Sequence, residues 1–275
     1  MKLAATALVM LTSATALAET EAEAFVRMQR MAVSVMQVYA SSGGMTQSGS
    51  AVAIGDNLAV TNCHVMGTAD SAIASRGSAQ TWGALQSGDT DRDLCVLRLK
   101  SSVSFVPELG SSHSLKVGSP VIAVGFMMRR LMPGAGQVTA LYRYKGAFVI
   151  RTSAQFTTGA SGGALFDNEG RLVGILTVLH KGVRGAMYFA VPVEWALELS
   201  GAKQTMDRSR PAFWSPEQTP RPWFIDAAAY ELDGEWGKLE QIAQQQVTAD
   251  PSDEEAQRAL ELARAHQRQA TTSKF

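Results

Sequence analysis

A serine set among glycines is the strongest chemical signal in this sequence. Ser161 stands in Thr-Thr-Gly-Ala-Ser-Gly-Gly-Ala-Leu at 157–165, between two runs of β-forming residues. A nucleophilic serine needs a sharply turned backbone that exposes its hydroxyl, with N–H groups nearby to hold the developing oxyanion. Gly159 can adopt the positive φ that such a turn requires, and the N–H groups of Gly159 and Ser161 are the candidate donors. A glycine-rich turn without chemistry is the alternative, because Gly-Ser turns are common in β proteins.

A serine hydroxyl also needs a histidine base and a carboxylate that orients the histidine. His64 ends the run Leu-Ala-Val-Thr-Asn-Cys-His at 58–64, where a mostly apolar strand meets a polar cluster. Such a position delivers a side chain to the edge of a site. The other three histidines, His113, His180 and His266, lie in a Ser-rich stretch, a hairpin loop and a terminal helix, where we expect solvated side chains.

Three aspartates compete for the carboxylate role, namely Asp89, Asp91 and Asp93. Asp93 directly precedes the apolar run 94–99, and a period of two places it on the face of Cys95 and Leu97. If that face is the core, Asp93 is buried and must be paired. We therefore predict Asp93 as the orienting acid, with Asp89 and Asp91 as solvated turn residues.

The two cysteines lie next to this predicted triad. Cys63 precedes His64, and Cys95 follows Asp93 by two positions. A hydrogen bond between His64 and Asp93 would bring both cysteines within the Cα separation that a disulfide needs. We predict a disulfide between Cys63 and Cys95; the alternative is two free thiols packed as small core residues.

The elements around these residues are mainly β. Short β-rich runs alternate with Gly, Ser, Asn and Asp turns from about 33 to 190, which indicates a sandwich or a barrel. A Ser-rich stretch at 100–118 separates two halves of strands. Before them, apolar residues at helical spacing predict a short amphipathic helix over residues 19–36.

The composition changes after the β region. A Pro-rich linker is predicted at 206–222, followed by a helical tail at 223–270. The tail resembles one tetratricopeptide repeat plus a final helix, with Asp226 where a leucine belongs. The matching positions are Trp223, Ala227, Tyr230, Leu239, Ala243 and Pro251. A lone repeat cannot bury its apolar face, so the tail should dock on the preceding domain, self-associate or receive a protein partner. A packing appendage with accidental spacing is the alternative.

The first 18 residues have the pattern of a signal peptide, with Lys2, an apolar run and Ala-Leu-Ala before the cleavage site. The run is short for a membrane anchor, so we expect an exported protein, periplasmic or secreted, without a membrane span in the mature chain. Lys plus Arg and Asp plus Glu each number 25, which argues against nucleic acid as a partner. No cluster has metal-ligand spacing, so neither a metal nor a cofactor is expected.

Three ordered motifs resemble those of the trypsin-like serine peptidases, especially their bacterial HtrA-like branch. They are Thr-Asn-Cys-His-Val at 61–65, Asp-Leu-Cys-Val-Leu at 93–97 and Gly-Ala-Ser-Gly-Gly-Ala-Leu at 159–165. Further landmarks lie at 117–125, 136–139, 170–175 and 188–192. Three motifs in this order are far more specific than any one alone.

The resemblance implies a mainly β fold of two six-stranded antiparallel β-barrels, about 33–100 and 118–195, within a peptidase domain spanning 19–205. The triad lies in the cleft between the barrels of this family. His64 is then general base and general acid, Asp93 its orienter, and Ser161 the nucleophile that forms an acyl-enzyme.

The same resemblance implies a specificity pocket. Gln155 would lie at its base, and its walls would be Thr177, Val178, Leu179, Phe189 and Ala190. Because these residues include no acid to pair Lys or Arg, we expect a small or medium apolar residue before the scissile bond.

Two departures from the family pattern stand out. Ala160 replaces the usual Asp or Asn before the nucleophile, so activation by pairing a new N-terminus with that residue is not expected. No sequence for the peptide-binding (PDZ) domain of HtrA-like proteins follows the predicted barrels. The function predicted is a serine endopeptidase acting on exported or misfolded polypeptides. The alternative is a catalytically silent binding or chaperone module that uses the same cleft or the helical tail.

Overall fold

The structure is a computed structural model that describes residues 20–182, 185–202 and 206–272, with the side chains of 178–182, 271 and 272 left out. The predicted signal peptide lies outside the described residues. Strands dominate from Val35 to Pro192, and helices follow.

The first barrel is antiparallel and is closed by hydrogen bonds between β5 and β6, in the order β5-β4-β1-β2-β3-β6. Its strands are β1 (Val35–Ser42), β2 (Met45–Gly55), β3 (Leu58–Thr61), β4 (Ser71–Arg76), β5 (Ala79–Asp89) and β6 (Leu94–Leu99). These strands include β-branched Val, Ile and Thr residues, which pack well on a pleated surface. Their small side chains form a core around Val38, Ala51 and Leu97, all fully buried.

The second barrel is also antiparallel and closes in the order β10-β11-β12-β9-β8-β7. Its strands are β7 (Pro120–Met127), β8 (Arg130–Tyr144), β9 (Ala147–Thr152), β10 (Ala164–Asp167), β11 (Leu172–Gly182) and β12 (Gly185–Pro192). The predicted pair of six-stranded barrels is therefore confirmed. A further two-residue strand, β13 (Met206–Asp207), adds to β5 of the first barrel in parallel.

Helices surround the barrels. They are α1 (Glu21–Ser34), α2 (Cys63–Met66), α3 (Val193–Gly201), α4 (Trp223–Asp233), α5 (Trp236–Ala249) and α6 (Glu254–Thr272). The helix α1 begins at a capping box in which Thr20 and Glu23 bond each other's backbone N–H groups. No described helix is both long enough and apolar enough to cross a membrane.

The Pro-rich segment does not behave as a free linker, which corrects the expectation from composition. Phe213 within it is fully buried and packs against Tyr144 of β8 and Trp195 of α3. The prolines exclude a helix there, but they do not prevent aromatic side chains from entering a core. The segment is therefore part of the folded body.

The helical tail is docked on the second barrel. Phe224 of α4 is buried and stacks on Tyr142 of β8, with ring centroids 4.7 Å apart. Arg151 of β9 pairs with Glu231 of α4 at 2.9 Å, and Glu231 also bonds Arg258 of α6 at 3.2 Å. The sequence predicts that the tail docks on the preceding domain, self-associates or binds a protein partner. In the structure it docks on the preceding domain.

Within the tail the repeat-like positions lie between the helices. Ala227, Leu239 and Ala243 are buried against Ala259 and Ala263 of α6. Small residues at these positions let the helices approach closely, as in a helix pair of a repeat. The final helix, α6, packs against α4 and α5, so this apolar face is buried within the chain.

Candidate active site

The first barrel brings His64 and Asp93 together. His64 lies in the short helix α2 after β3, and Asp93 directly precedes β6, the strand paired with β3. The Nδ1 atom of His64 lies 2.7 Å from Oδ2 of Asp93. The backbone N–H of His64 donates to Oδ1 of the same carboxylate at 3.0 Å. Asp93 therefore holds both the ring and the backbone of His64.

Asp93 reaches this position through its backbone conformation. Its φ is +56°, in the left-handed region that non-glycine residues seldom adopt. It lies in a turn outside β6, so the strand alternation used to predict its burial does not extend to it. The side chain is nonetheless buried, at 1% exposure. Asn62 Nδ2 donates to the Asp93 carbonyl at 2.9 Å and secures the turn.

Asp91, expected to be a solvated turn residue, is buried instead. It pairs with Lys145 from the turn after β8, and its carbonyl accepts from the N–H of Phe213 at 2.8 Å. These two partners, distant in sequence, shield it from water. Asp89 is partly exposed and lies near Arg92 at 3.5 Å.

Two further donors meet Oδ2 of Asp93. The hydroxyl of Thr177 on β11 donates to it at 2.7 Å, and the indole Nε1–H of Trp214 does so at 3.2 Å. Thr177 was predicted as a pocket wall, whereas Trp214 was missed. The only available signal for Trp214 was an aromatic side chain inside a Pro-rich stretch. The buried Asp93 carboxylate therefore accepts hydrogen bonds at both oxygens.

The loop before β10 presents Ser161. Gly159 and Gly162 have φ of +97° and +83°. A Cβ at Gly162 would lie 2.0 Å from the carbonyl of Ser50, so only glycine fits there. In the described part of the chain the N–H groups of Gly159 and Ser161 donate no hydrogen bond. Both remain available to an oxyanion, as the sequence analysis predicts.

Ser50 of β2 clamps this loop to the first barrel. Its hydroxyl donates to the Gly159 carbonyl at 2.8 Å and accepts from the Phe126 N–H at 2.8 Å. Its backbone N–H donates to the Ser161 carbonyl at 2.7 Å. Sequence reasoning missed Ser50, because only the tertiary structure brings β2 against the loop of the second barrel.

Ser161 and His64 line one cavity of about 430 Å³ between the barrels. Within the described residues, the Ser161 hydroxyl makes no hydrogen bond to the His64 ring. Catalytic hydrogen bonds in enzymes without substrate are often long and tighten when substrate binds. His64, oriented by Asp93, and Ser161 therefore face the same cavity.

Two of the residues predicted to form the specificity pocket do not line this cavity. Thr177 and Phe189 line it, but Gln155 is exposed, and its carbonyl packs against Gly134. Ala190 is buried in the core of the second barrel instead. Strand alternation explains Ala190, because Met187 and Phe189 point to one face of β12 and Ala190 to the other.

The residue after Gln155 takes the place predicted for it. Phe156 lines the cavity and is buried, followed by Thr157 and Thr158. The side chains of Val178 and Leu179 lie outside the described part of the chain. Phe156, Met187 and Phe189 make the described pocket apolar.

The Pro-rich segment and helix α4 form the rest of the cavity wall. The lining residues from this part of the chain are Trp214, Pro216, Arg221, Ile225, Asp226 and Ala229. Asp226 stands where the repeat pattern has a leucine, and it pairs with Arg221. The pair leaves this wall without net charge.

The environment shifts the titration of His64. Burial lowers the pKa of His64, while the negative charge of Asp93 and its hydrogen bond raise it by more. The net result is a pKa above the usual value for histidine. The ring is about a third exposed on its cavity side, where a proton could be exchanged with substrate.

The sulfurs of Cys63 and Cys95 are bonded in the structure, with Cα atoms 4.9 Å apart. Cys63 opens α2, and Cys95 lies opposite Thr61 in the β3–β6 ladder. The bond therefore joins the segment of His64 to the strand that follows Asp93. Among the described residues, no group of three His, Cys, Asp or Glu side chains is arranged to hold a metal ion.

A family model for the trypsin-like peptidase domain matches residues 49–175. Residues 49–175 therefore resemble a trypsin-like peptidase domain. His64, Asp93 and Ser161 all fall inside the matched region, whereas Trp214 and the helical tail fall outside it. The predicted resemblance to trypsin-like peptidases is confirmed.

Several curated relatives of this chain are named as DegP-like serine endoproteases. The "Probable periplasmic serine endoprotease DegP-like" of Halomonas elongata is 30% identical over 154 residues, which are 53% of this chain and 32% of that protein. The chain spans about a third of the length of the curated relatives it matches.

Solved structures agree with this placement. The structure "HtrA-type protease AlgW with tripeptide" has a TM-score of 0.58 and 29% identity, covering 63% of this chain and 61% of that one. The serine endoprotease from Yersinia pestis has a TM-score of 0.57 and 26% identity, covering 63% and 64%. In both cases the likeness covers 63% of this chain.

Proposed function

We propose that this protein is a serine endopeptidase that hydrolyses polypeptides through His64, Asp93 and Ser161. The observation that carries the proposal is the 2.7 Å contact from His64 Nδ1 to Asp93 Oδ2, beside a cavity that Ser161 also lines. Relatives named as serine endoproteases support the same reaction class.

The proposed reaction has two halves. The Ser161 hydroxyl oxygen attacks the carbonyl carbon of the peptide bond while His64 Nε2 takes the hydroxyl proton. The oxyanion is held by the N–H groups of Gly159 and Ser161. His64 then gives the proton to the leaving amine, and an acyl-enzyme remains. A water molecule releases the acyl group by the same steps, which returns the proton to Ser161.

Asp93 makes this base effective. Its hydrogen bond fixes the proton of neutral His64 on Nδ1, so Nε2 presents its lone pair toward the cavity. When His64 becomes an imidazolium, the carboxylate stabilises the positive charge. Thr177 and Trp214 donate further hydrogen bonds to the same carboxylate and hold it in place.

The cavity favours an apolar side chain before the scissile bond. Phe156, Met187 and Phe189 supply apolar walls, with Ile225 and Ala229 opposite them on α4. Asp226, the acid of this wall, is already paired with Arg221, so a substrate Lys or Arg would have to compete for it. A small or medium apolar residue fits best.

The proposed location is the periplasm or another exported compartment. Relatives carry the word periplasmic in their names, and a disulfide persists in oxidising compartments. We propose that exported or misfolded polypeptides are the substrates.

A fluorophosphonate probe tests the mechanism directly. The purified protein is expected to be labelled at Ser161, and Ser161→Ala and His64→Ala should each abolish labelling and peptide cleavage. Ser78→Ala and His113→Ala are matched controls at exposed residues and should keep both. Cleavage that persists in Ser161→Ala would refute the mechanism. A folded protein that neither reacts with the probe nor cleaves peptides would favour the silent binding module instead.

A further inference from the structure

One residue from outside the matched peptidase region touches both His64 and Asp93. Trp214 donates its indole Nε1–H to Oδ2 of Asp93 at 3.2 Å. Its ring stands edge-on to the His64 ring, with centroids 5.6 Å apart and planes at 90°. Of the described side-chain donors to that oxygen, His64 and Thr177 belong to the barrels, and Trp214 comes from the segment after them.

The backbone around Trp214 is fastened to the turn that carries Asp93. The Phe213 N–H donates to the Asp91 carbonyl at 2.8 Å. The Thr90 hydroxyl donates to the Arg210 carbonyl at 2.6 Å. The Phe213 side chain is buried among Tyr144, Trp195 and Phe224, which prevents the segment from sliding. Trp214 is therefore held at a fixed place relative to the Asp93 carboxylate.

These contacts give the indole two effects on the triad. A hydrogen bond to a charged oxygen orients the carboxylate and takes up part of its negative charge. The ring also covers one side of the imidazole and limits its rotation. Both effects depend on the chain beyond residue 175, where the family match ends.

We propose that Trp214 is a positioning residue of the triad, which holds the Asp93 carboxylate and the His64 ring in their working geometry. The Pro-rich segment is then part of the active site rather than a connector. The proposal rests on the proposed peptidase function, since it assigns a role within the same site.

Positioning has a consequence that packing alone does not have. Without the indole N–H, more of the Asp93 charge is available to the His64 imidazolium, so the pKa of His64 rises. Among the described residues, the charged groups near His64 are Asp93, which its ring contacts, and the Arg221–Asp226 pair of the cavity wall, from the Pro-rich segment and α4. Because that pair is neutral overall, Asp93 is the charge that Trp214 controls.

The test compares Trp214→Phe with Trp82→Phe, a half-exposed tryptophan on β5. Phenylalanine keeps an apolar ring but lacks the donor. For Trp214→Phe we expect kcat/KM to fall about tenfold, mostly in kcat, with the acid limb of the pH profile moved to higher pH. Trp82→Phe should match the unaltered protein. A pH profile of Trp214→Phe that superimposes on the unaltered one, with kcat/KM within about twofold, overturns the proposal.

A second measurement leaves Trp214 in place and covers the case in which Trp214→Phe does not fold. In an assigned ¹H–¹⁵N spectrum, Asp93→Asn should move the Trp214 indole N–H resonance upfield, because its acceptor loses the charge. Asp226→Asn, a change in the same cavity, should leave that resonance in place. An unmoved resonance in Asp93→Asn overturns the proposal. Activity in Ser161→Ala would instead refute the peptidase function, so the two failures are distinguishable.

Discussion

Removing the bond between Cys63 and Cys95 should lower the free energy of unfolding of the protein. The catalytic rate of the folded protein should stay nearly unchanged. The two residues are 32 positions apart, and opening a loop of that size increases the entropy of the unfolded chain. In the chain-entropy model this lowers the free energy of unfolding by about 3 to 4 kcal/mol. For a chain of this size the melting temperature should fall by about 10 °C.

Catalysis at 25 °C should survive in the folded fraction. The Cys63 N–H still donates to the Asp93 carbonyl at 3.3 Å, and Asn62 donates to the same carbonyl at 2.9 Å. The β3–β6 ladder also remains, with Thr61 opposite residue 95. These bonds hold His64 against Asp93 without the disulfide. We therefore expect kcat/KM of Cys63→Ala/Cys95→Ala within about threefold of the unaltered protein.

The assay is urea unfolding of protein made in an oxidising compartment, with peptide cleavage measured at 25 °C. Reductant should destabilise the unaltered protein and leave Cys63→Ala/Cys95→Ala unchanged, which is the internal control. A loss below about 1 kcal/mol would contradict the chain-entropy estimate. Alkylation of both cysteines after unfolding without reductant would show that the bond does not form.

Three further predictions follow from the site. Because Asp93 raises the pKa of His64, kcat/KM should rise with pH through a midpoint above about 6.5; a rate independent of pH from 5 to 9 would exclude a histidine base. By linkage, a raised folded pKa adds stability that is complete below about pH 6.5 and is lost as pH rises through the folded value. His64→Ala should therefore cost more stability in urea unfolding at pH 5.5 than at pH 9. Ser50→Ala leaves the Gly159 carbonyl and the Phe126 N–H without their buried partner, so we expect a stability loss of about 1 to 3 kcal/mol and slower fluorophosphonate labelling, while Ser78→Ala changes neither. Among matched peptides, those with Val, Ala or Leu before the scissile bond should be cleaved faster than those with Arg or Asp, and fastest cleavage after Arg would refute the pocket assignment.

Local sequence was sufficient for the parts of the fold that depend on short-range pattern. Alternating strands, turn residues and two halves separated by a Ser-rich stretch predicted the β architecture. The glycines around Ser161 predicted a turn with free N–H groups, because positive φ is a local property of glycine. The positions of Cys63 and Cys95 beside His64 and Asp93 likewise predicted their proximity.

Other predictions of side-chain position were wrong. In these cases the position depends on the register of a single residue or on a partner that is distant in sequence. The family resemblance implies Gln155 at the base of the pocket, but in the structure Gln155 is exposed and Phe156 lines the cavity. The sequence predicts Asp91 as a solvated turn residue, but it is buried because Lys145 and Phe213, both distant in sequence, contact it. Ala190 was assigned to the wall beside Phe189, although neighbouring residues of a strand face opposite sides.

The sequence alone determined the chemistry available to this protein, because the types and order of its serine, histidine and aspartate motifs are specific and their local turns are encoded by neighbouring residues. The tertiary structure decided what surrounds that chemistry. Ser50 reaches the site from the first barrel, Trp214 from the Pro-rich segment and the α4 wall from the tail. Composition shows where a chain can turn, but only the packing of buried aromatic side chains decides which distant segment closes over the cleft.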